Sequence, residues 1–579
     1  MKWTIPSFDA ATVEWLVRDL PISRPSARVL SFRGICELEQ ARQFLDPRIS
    51  DLHSPLLLTS MEAAVSRLQR AIQGHERILL YGDYDADGTS AVVILKKGIE
   101  LAGGQACFHV PHRLRDGYGM RSEVVEQAAT SGVSLIVSVD TGIRANDVVR
   151  HASALGIDVI VTDHHLPEDE LPPALAVLNP NRRDCTYPEK NLCGAGVALK
   201  LVDALFRRSG FEDSRRERLI DSFLKLVAIA TVADVVPLTG ENRVIVKRSL
   251  EGLDRVRNPG LRALLDVSGF AEGTSPNAGQ VAFRVAPRIN AAGRMDTASD
   301  VIEMFLTEDP ARARDLASKL HDLNHDRQQT EAEIAQAILQ QCVEQPVTDR
   351  DAALVFSGEG WHRGVVGIVA SRVVERFHRP AFVLGVENGV AQGSGRSIAA
   401  FHLLEALESM PDLFTKFGGH RQAAGVTLSA ERIEEFRSRL RDYASLRLTP
   451  ADFERELEID AEIQLEEITD RAVADILRLA PFGYGNPAPV FVLRKVEVAE
   501  APDVRSEKHV FLRLRRNNRM LRIKAWNFAE RLSELAPGSI IDAAVQFEED
   551  LYSAARGYAP WQAILKDVRP AEAAAGTVR

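Results

Sequence analysis

Residues 78–91 read ILLYGDYDADGTSA, a short apolar run that ends in an acidic, glycine-containing turn. The apolar part predicts a buried strand, and the residues after the turn predict a helix. The same order recurs twice downstream, where residues 135–139 run into Asp140 and residues 158–162 run into Asp163. Apolar strands that alternate with helical segments are typical of a parallel sheet covered by helices on both faces. The sequence therefore predicts an α/β fold.

Acidic residues and histidines follow each of these three predicted strands. Because the carboxyl ends of neighbouring parallel strands meet in one crevice, we expect these side chains to lie close together, where the carboxylates would repel one another without cations. Carboxylate and imidazole ligands without thiolates favour Mn²⁺ or Mg²⁺, and two such ions can hold both oxygens of a phosphoryl displacement. Each motif alone is also compatible with a turn or a helix cap. Together they predict a two-metal site near Asp83, Asp85, Asp87, Asp140, Asp163, His164 and His165.

Composition restricts the class of protein. The chain has 579 residues, with 81 acidic and 71 basic residues and a net charge of −10, which excludes a uniformly basic nucleic-acid coat but not a local basic groove. Five cysteines without a CxxC pair argue against a disulfide framework or a zinc ribbon. The first residues lack the apolar core of a signal peptide, and no stretch approaches the roughly 18 apolar residues of a membrane span. We expect a reduced, cytoplasmic, multidomain protein with no membrane contact.

A basic segment lies near the carboxyl end, where residues 511–528 read FLRLRRNNRMLRIKAWNF. Its alternation predicts a hairpin that turns at Asn517-Asn518, with leucine and isoleucine on one face. The opposite face would carry Arg513, Arg515, Arg522 and Lys524. Such a ribbon suits an oligonucleotide-binding barrel, in which a charged strand face follows the nucleic-acid backbone. A solvated hairpin of an ordinary barrel is an equally consistent interpretation.

The motifs resemble those of a known family. GDYDADGTSA (82–91), SVDTG (138–142) and TDHH (162–165) are similar, in that order, to the motifs of the DHH phosphoesterase superfamily. Within it, VPHRLRDGYG (110–119) and TVADVVPL (231–238) resemble the RecJ family of single-stranded-DNA-specific exonucleases. The same resemblance extends to APRINAAGRM (286–295), GWHRGVVGIVASR (360–372), GSGRS (393–397) and FGGH (417–420).

The resemblance covers residues 25–570, approximately, and implies an architecture. We expect an α/β protein with a DHH-type parallel sheet domain and a smaller α/β DHHA1 domain joined by a long helix, followed by an OB-fold β-barrel. The expected boundaries are an amino-terminal extension packed on the core (1–70), the DHH catalytic domain (71–320), the connecting helix (321–345), the DHHA1 substrate-binding domain (346–448) and the OB-fold nucleic-acid-binding domain (449–579).

The resemblance also implies an activity and roles for individual residues. The implied activity is a two-metal, Mn²⁺- or Mg²⁺-dependent 5′→3′ exonuclease that degrades single-stranded DNA to 5′-mononucleotides in DNA repair and recombination. His165 would donate to the phosphate or the leaving oxygen, Asp163 would orient the histidines, and Asp83 would support the metal ligands. By the same resemblance, the metal ligands are Asp85, Asp87, Asp140, His164 and Asp234.

On the substrate side, the resemblance places Arg113, Ser394 and Arg396 at the terminal 5′-phosphate. It assigns His420 of the FGGH motif to substrate binding across the cleft. Arg288, Asn290 and Arg294 could line the path of the strand into the site. They are equally consistent with hydrogen-bonding residues at a helix terminus inside the catalytic domain.

The expected partner is single-stranded DNA with a 5′ end, acted on by a monomer. By family resemblance, a single-stranded-DNA-binding protein and a helicase are further expected partners. Three alternatives stay open at this point. They are a haloacid-dehalogenase-type phosphatase, since Asp85-Ala86-Asp87-Gly88-Thr89 also fits DxDxT; a DHH phosphodiesterase of short oligonucleotides or cyclic dinucleotides; and a non-catalytic single-stranded-DNA-binding scaffold.

Overall fold

The computed structural model describes residues 1–5, 8–113 and 115–571. Parts of three predicted features therefore lie outside the described residues: 6–7 of the amino-terminal extension, Leu114 of the motif at 110–119, and 572–579 of the last domain. The chain divides into two units. One comprises Leu52–Val236 and Arg248–Glu454, and the other comprises Met1–Asp51, Pro237–Lys247 and Arg455–Arg579.

The amino-terminal residues form β1 (Lys2–Thr4), α1 (Ala10–Asp19), α2 (Arg24–Phe32) and α3 (Leu38–Leu45). That residues 1–70 pack on the catalytic core stays a prediction, and Met1–Asp51 groups with the carboxyl-terminal barrel in one compact unit. The reason is apolar burial, because Leu16 and Leu30 are fully buried in the same cluster as Leu512 of the barrel.

The central sheet and its helices follow. They are α4 (Met61–Gln73), β2 (Arg77–Tyr81), α5 (Ala86–Leu101), β3 (Ala106–His109), α6 (Ser122–Thr130), β4 (Val133–Val139), α7 (Asn146–Ala154), β5 (Asp158–Thr162) and β6 (Ala176–Leu178). The strand order is β3-β2-β4-β5-β6, and all four pairings are parallel.

The register of this sheet positions the predicted site. Tyr81 of β2 lies opposite Ser138 of β4, and Val139 of β4 lies opposite Thr162 of β5. The carboxyl ends of the three strands therefore reach the same edge of the sheet. Their central residues are buried, as expected for parallel strands covered on both faces. The predicted α/β fold class is confirmed.

A helical region follows the sheet. It contains α8 (Gly194–Arg208), α9 (Asp213–Ala233), α10 (Gly240–Glu251), α11 (Pro259–Val267), α12 (Ala278–Gln280), α13 (Ala286–Met295), α14 (Ser299–Leu306) and α15 (Pro310–Glu344). The connecting helix α15 begins at Pro310, earlier than the predicted 321, because Asp309 caps it by accepting the N–H of Ala311 at 2.9 Å. None of the described helices combines the length and the apolar composition that a membrane-spanning segment needs.

The second α/β part lies in the same unit as the central sheet. It comprises β7 (Leu354–Glu359), α16 (Val366–Phe377), β8 (Ala381–Glu387), β9 (Val390–Arg396), α17 (Leu403–Glu408), β10 (Lys416–Gly419), β11 (Ala423–Ser429) and α18 (Ile433–Ser445). Its strand order is β10-β11-β9-β8-β7, with only β7 and β8 parallel. Arg396 of the GSGRS motif ends β9, and His420 of the FGGH motif follows β10.

The last part is a closed barrel. Its elements are β12 (Glu456–Glu458), β13 (Ala461–Glu462), α19 (Asp470–Leu477), β14 (Val490–Val498), β15 (Asp503–Arg505), β16 (His509–Arg516), β17 (Arg519–Ala525), β18 (Ile540–Glu549), α20 (Leu551–Ala554) and β19 (Trp561–Pro570). The order β14-β18-β19-β17-β16 closes through a pairing of β14 with β16. The predicted basic hairpin is β16–β17, in which Leu512 lies opposite Ile523 and both are buried. This strand order is typical of an OB fold.

Candidate active site

The turn after β2 holds three aspartates close together. Asp85 caps α5, because its Oδ1 accepts the N–H groups of Asp87 and Gly88 at 2.9 and 3.0 Å. Asp83 and Asp87 are 4% and 1% exposed. Gly88 is required at this point, since a Cβ there would lie 2.7 Å from the Cβ of Asp83. The glycine-containing turn therefore packs the carboxylates tightly at the edge of the sheet.

Asp140 occupies the corresponding position after β4. Its backbone is left-handed, with φ of 59°, and its N–H donates to the carbonyl oxygen of Thr162 at 2.9 Å. A non-glycine residue in this conformation carries local strain, which is common where a side chain has to be aimed at a functional site. The side chain is 2% exposed, so its carboxylate is directed into the protein.

The third strand end carries Asp163, which orients the histidine pair. Its Oδ1 accepts from Nδ1 of His165 and from the N–H of His164, both at 2.7 Å, and its Oδ2 accepts the N–H of Ile143 at 2.9 Å. Burial lowers the pKa of His165, but the hydrogen bond and charge of Asp163 outweigh burial and raise it to about 9. This geometry is the one that the predicted role of Asp163 requires.

His164 stands at the centre of the cluster. Its Nε2 lies 3.2 Å from Asp140 Oδ1, 3.6 Å from Asp234 Oδ2 and 3.7 Å from Asp87 Oδ2. Asp234 follows directly on α9, which is how a residue far along the chain reaches the sheet edge. Burial lowers the pKa of His164, which favours the neutral imidazole that ligates metals.

Three groups of side chains in this cluster could hold a cation, and within each group the ligand atoms all lie within 4.8 Å of one another. The groups are Asp140-His164-His165, Asp87-His164-Asp234 and Asp83-Asp85-Asp140. The structure thus brings together every predicted metal ligand, and Asp83 and His165 lie in the same groups. Asp140 belongs to two of the groups, which places it between two candidate cation positions.

The electrostatics of the cluster fit bound cations. Burial and neighbouring carboxylates raise the pKa of Asp83 and of Asp140 well above the usual range, and they raise the pKa of Asp234 to about 8. The Oδ1 atoms of Asp83 and Asp140 are buried without a hydrogen-bond partner among the described residues. Oxygen ligands with unused lone pairs, together with imidazole, suit Mn²⁺ or Mg²⁺.

Two arginines predicted to bind the terminal phosphate lie near the cluster. The Arg113 guanidinium stacks on Tyr84 in the aspartate turn, 5.0 Å from the ring centroid. Arg396 donates to the Ser394 hydroxyl at 2.8 Å. Burial and the nearby charge of Arg113 lower the pKa of Arg396. Neither guanidinium forms an ion pair with an acid of the described residues, so both can bind an anion.

His420 lies on the exposed turn after β10. Burial, Arg144 and His165 together lower its pKa, which shows that it is within electrostatic range of the histidine pair. Arg144 was not predicted. It donates to the carbonyl oxygen of Leu166, just beyond His165, at 3.0 and 3.2 Å.

The residues of APRINAAGRM are held by hydrogen bonds within the protein. Asn290 accepts the N–H of Ala86 at 2.8 Å, at the first residue of α5. Arg288 contacts the carbonyl oxygen of Arg284 and Nδ1 of His321. Arg294 of the same motif donates to the carbonyl oxygen of Gly364 at 3.1 Å. Of the two interpretations of Arg288 and Asn290, these contacts favour the hydrogen-bonding one, and contact with substrate stays a prediction.

The basic face of the β16–β17 hairpin is largely paired with acids. Three of its four predicted cations form ion pairs: Arg513 with Glu500 at 3.1 Å, Arg515 with Glu497 at 2.6 Å and Lys524 with Asp550 at 3.4 Å. Arg522 is exposed, lies opposite Arg513, and forms no ion pair with a described residue. The face is therefore less positive than its sequence indicates.

Aromatic residues on this face were missed. Trp526 is 44% exposed and lies edge-on to Phe511, with ring centroids 6.2 Å apart. The Arg505 guanidinium lies 4.4 Å from the Phe511 ring centroid. The alternation of the hairpin could have revealed both aromatic residues, because residues two positions apart lie on the same face of a strand. Phe511 is two residues from Arg513, and Trp526 is two residues from Lys524. Tyr118 was also missed, and its hydroxyl lies 3.4 Å from Nδ1 of His165.

Family models match three parts of the chain: the DHH family, N-terminal domain at residues 77–231, the DHHA1 domain at 350–446, and the RecJ OB domain at 459–567. Fold and site together thus define a DHH-family protein with a DHHA1 domain and an OB-fold barrel. The chain is 38% identical over 544 residues to the single-stranded-DNA-specific exonuclease RecJ of Bacillus subtilis, covering 93% of this chain and 68% of the relative. The chain belongs to the RecJ family.

Two solved structures agree with this assignment. RecJ from Thermus thermophilus in complex with Mn²⁺ is 31% identical, with a TM-score of 0.83, covering 100% of this chain and 81% of that one. The same protein in complex with Mg²⁺ is 29% identical, with a TM-score of 0.77, covering 99% and 79%.

Proposed function

We propose that this chain is a metal-dependent exonuclease that degrades single-stranded DNA from its 5′ end to 5′-mononucleotides. The observation that carries the proposal is the sharing of Asp140 between two groups of potential ligands at the edge of the sheet. The relatives support it, since the curated Bacillus subtilis relative is named a single-stranded-DNA-specific exonuclease and the Thermus structures hold Mn²⁺ and Mg²⁺.

Two divalent ions, Mn²⁺ or Mg²⁺, are the proposed cofactors. Asp85, Asp87, Asp140, His164 and Asp234 would hold them. When bound, such ions polarise a phosphodiester and lower the pKa of water at the site. Asp83 supports this set through its unused buried oxygen.

The chain's own residues supply proton transfer and orientation. His165 is the proposed donor to the phosphate or to the leaving oxygen, because Asp163 accepts a hydrogen bond from its Nδ1 and raises its pKa, which favours the protonated imidazole. Asp163 holds the ring through Nδ1, which leaves Nε2 free to face substrate. Asp163 is thus a positioning residue, and Tyr118 borders the same ring.

The proposed polarity rests on Arg113, Ser394 and Arg396. These residues offer two guanidinium groups and a hydroxyl beside the carboxylate cluster, a donor set suited to the dianionic phosphate at a 5′ terminus. His420 would contact the next phosphate. A 5′-phosphate held here leaves the first phosphodiester near the candidate metal positions, which accounts for release of one nucleotide at a time.

The barrel is proposed to bind the strand beyond the site. The nucleic-acid backbone would follow Arg522 and the ion-paired cations Arg513, Arg515 and Lys524. The bases would stack on Trp526 and Phe511. Recognition of backbone and unstacked bases favours single strands of any sequence. Such binding would hold the substrate between successive cleavages.

We also propose a cytoplasmic enzyme of DNA repair and recombination that works as a monomer with a single-stranded-DNA-binding protein and a helicase. Unpaired cysteines support the compartment, since all five are free thiols. The other parts of this proposal rest on the family resemblance.

A digestion experiment tests the proposed activity. Labelled single strands and the matching blunt duplex are incubated with the chain in Mn²⁺, Mg²⁺ or EDTA. We expect mononucleotides from the single strand with either ion and none in EDTA, with the duplex largely intact. Equal degradation of the duplex, or hydrolysis only of dinucleotides, would favour another DHH phosphodiesterase.

A further inference from the structure

The amino terminus of α8 holds one of the proposed metal ligands. The N–H of Gly194 donates to Oδ2 of Asp87 at 2.6 Å, and the N–H of Ala195 donates to Oδ1 at 2.7 Å. These are the first two residues of a 15-residue helix, whose leading N–H groups have no partner within the helix. Short hydrogen bonds from a helix amino terminus favour the carboxylate form and fix its plane.

The same residue leaves room for a second proposed ligand. A Cβ at Gly194 would lie 2.6 Å from Cβ and 2.7 Å from Oδ1 of Asp140, closer than real Cβ atoms approach. Gly194 does not have positive φ, so its backbone conformation suits any residue. The close approach of Asp140 is therefore the physical reason for glycine at this position.

A neighbouring glycine in the same helix provides a contrast. The atoms nearest to a Cβ at Gly196 would be those of the Leu192 side chain, the first of them at 3.3 Å. A flexible leucine can move by the few tenths of an ångström that this requires. Within this helix, the close approach to a proposed metal ligand that excludes a side chain is thus found at Gly194 and not at Gly196.

We propose that Gly194 is a positioning residue of the metal centre, which orients Asp87 through its N–H and admits Asp140 beside it through its missing side chain. The inference rests on the proposed metal-dependent function. Asp87 and Asp140 belong to different candidate ligand groups that share His164. One backbone position therefore contacts ligands of two candidate groups, and the N–H of Ala195 is the second donor to Asp87.

The test is calorimetric titration of Mn²⁺ into the full chain and into Gly194→Ala, with Gly196→Ala as the matched control. We expect Gly194→Ala to bind Mn²⁺ more weakly by roughly tenfold or more, the usual effect of disturbing groups that orient metal ligands. Gly196→Ala should bind like the unmodified chain. Melting in EDTA shows whether each variant is folded at the temperature of the titration, so that weaker Mn²⁺ binding by a folded variant reports on ligand placement.

A second variant keeps the inference testable if Gly194→Ala does not fold. Ala195→Pro replaces the N–H that donates to Asp87 by a ring carbon, in the first turn of the helix where proline is tolerated, and Ala195→Gly retains that N–H. We expect weaker Mn²⁺ binding in Ala195→Pro alone. Unchanged affinity in Gly194→Ala and Ala195→Pro would overturn the inference, whereas an unmodified chain that binds no Mn²⁺ would overturn the proposed function and the inference together.

Discussion

Nε2 of His164 lies 3.2 Å from Oδ1 of Asp140, although the two residues follow different strands of the sheet. The parallel register brings the two residues together, because Val139 pairs with Thr162 and the backbone leaves both strands at the same edge of the sheet. Asp140 Oδ1 has no hydrogen-bond donor among the described residues, and His164 is kept neutral by burial. The pair is therefore arranged to share a cation.

Asp140→Ala should abolish cleavage while leaving single-strand binding largely intact. Loss of a carboxylate shared by two candidate positions should reduce the rate by roughly a thousandfold or more, since cation stabilisation of the transition state amounts to several kcal/mol. Cleavage rate and filter binding of a labelled strand measure the two effects. Asp147→Ala, at an exposed carboxylate on α7, is the control. Full activity in Asp140→Ala would contradict the two-metal assignment.

Arg396→Ala should remove the preference for a 5′-phosphate. Because charge-assisted hydrogen bonds to a phosphate are lost, we expect about a 10- to 100-fold weaker kcat/KM on phosphorylated strands and little change on 5′-hydroxyl strands. Competition between the two strands measures this ratio. Arg363→Ala, whose partner is the exposed Glu387, should keep the preference. An equal loss on both strands would show that Arg396 acts elsewhere.

Trp526→Ala should weaken binding of long single strands but not cleavage of short ones. Base stacking on an exposed aromatic contributes about 1–3 kcal/mol, so affinity for a long strand should fall by roughly 5- to 150-fold. Fluorescence anisotropy with strands of increasing length gives the measurement. Leu446→Ala, an 83% exposed apolar residue outside the barrel, is the control. Wild-type affinity for long strands would refute an aromatic contribution.

Asp567→Asn should destabilise the barrel unit. Oδ2 of Asp567 accepts a hydrogen bond from Trp3 Nε1, and Oδ1 pairs with Arg531, both at 2.7 Å. Because the variant weakens these contacts between β19 and its neighbours, it should lower the free energy of unfolding by about 1–3 kcal/mol. Urea unfolding followed by tryptophan fluorescence measures this change. Asp503→Asn, at an exposed carboxylate of β15, should unfold like the unmodified chain.

The same residue predicts a pH dependence. Burial raises the pKa of Asp567, but the hydrogen bonds from Trp3 and Arg531 outweigh it and lower the pKa below its usual value. A depressed carboxyl pKa contributes stability that is present above about pH 4 and is lost as pH falls through the folded-state value. The free energy of unfolding should therefore fall less on acidification in Asp567→Asn than in the unmodified chain. Identical pH profiles would refute this contribution.

The sequence predicted the sheet and the cluster because both follow from local patterns. Apolar strands such as residues 78–81 specify parallel pairing, and pairing alone brings Asp83, Asp140 and Asp163 to one edge. Asn290 was named from its motif, but its partner Ala86 was beyond such reasoning, since that hydrogen bond depends on how α13 packs against α5. Gly194 was missed for the same reason, because a glycine at a helix start has many explanations until the neighbouring Asp140 is located.

Packing between distant segments limited the prediction elsewhere. The acids that pair with the basic hairpin, Glu497 and Glu500, lie on or just after β14, and only barrel closure brings them to Arg515 and Arg513. The amino-terminal helices likewise have ordinary amphipathic patterns, which do not indicate the surface against which each apolar face packs. Their burial with the barrel depends on tertiary packing that the sequence pattern does not show.

The most direct test of 5′→3′ exonuclease activity is digestion of single strands blocked at one end, in Mn²⁺, with the released products identified by mass. We predict that a strand with a free 5′-phosphate and a blocked 3′ end is degraded to 5′-mononucleotides, while a strand blocked at its 5′ end survives. Degradation of the 5′-blocked strand from its free 3′ end, or cleavage of neither strand, would contradict it.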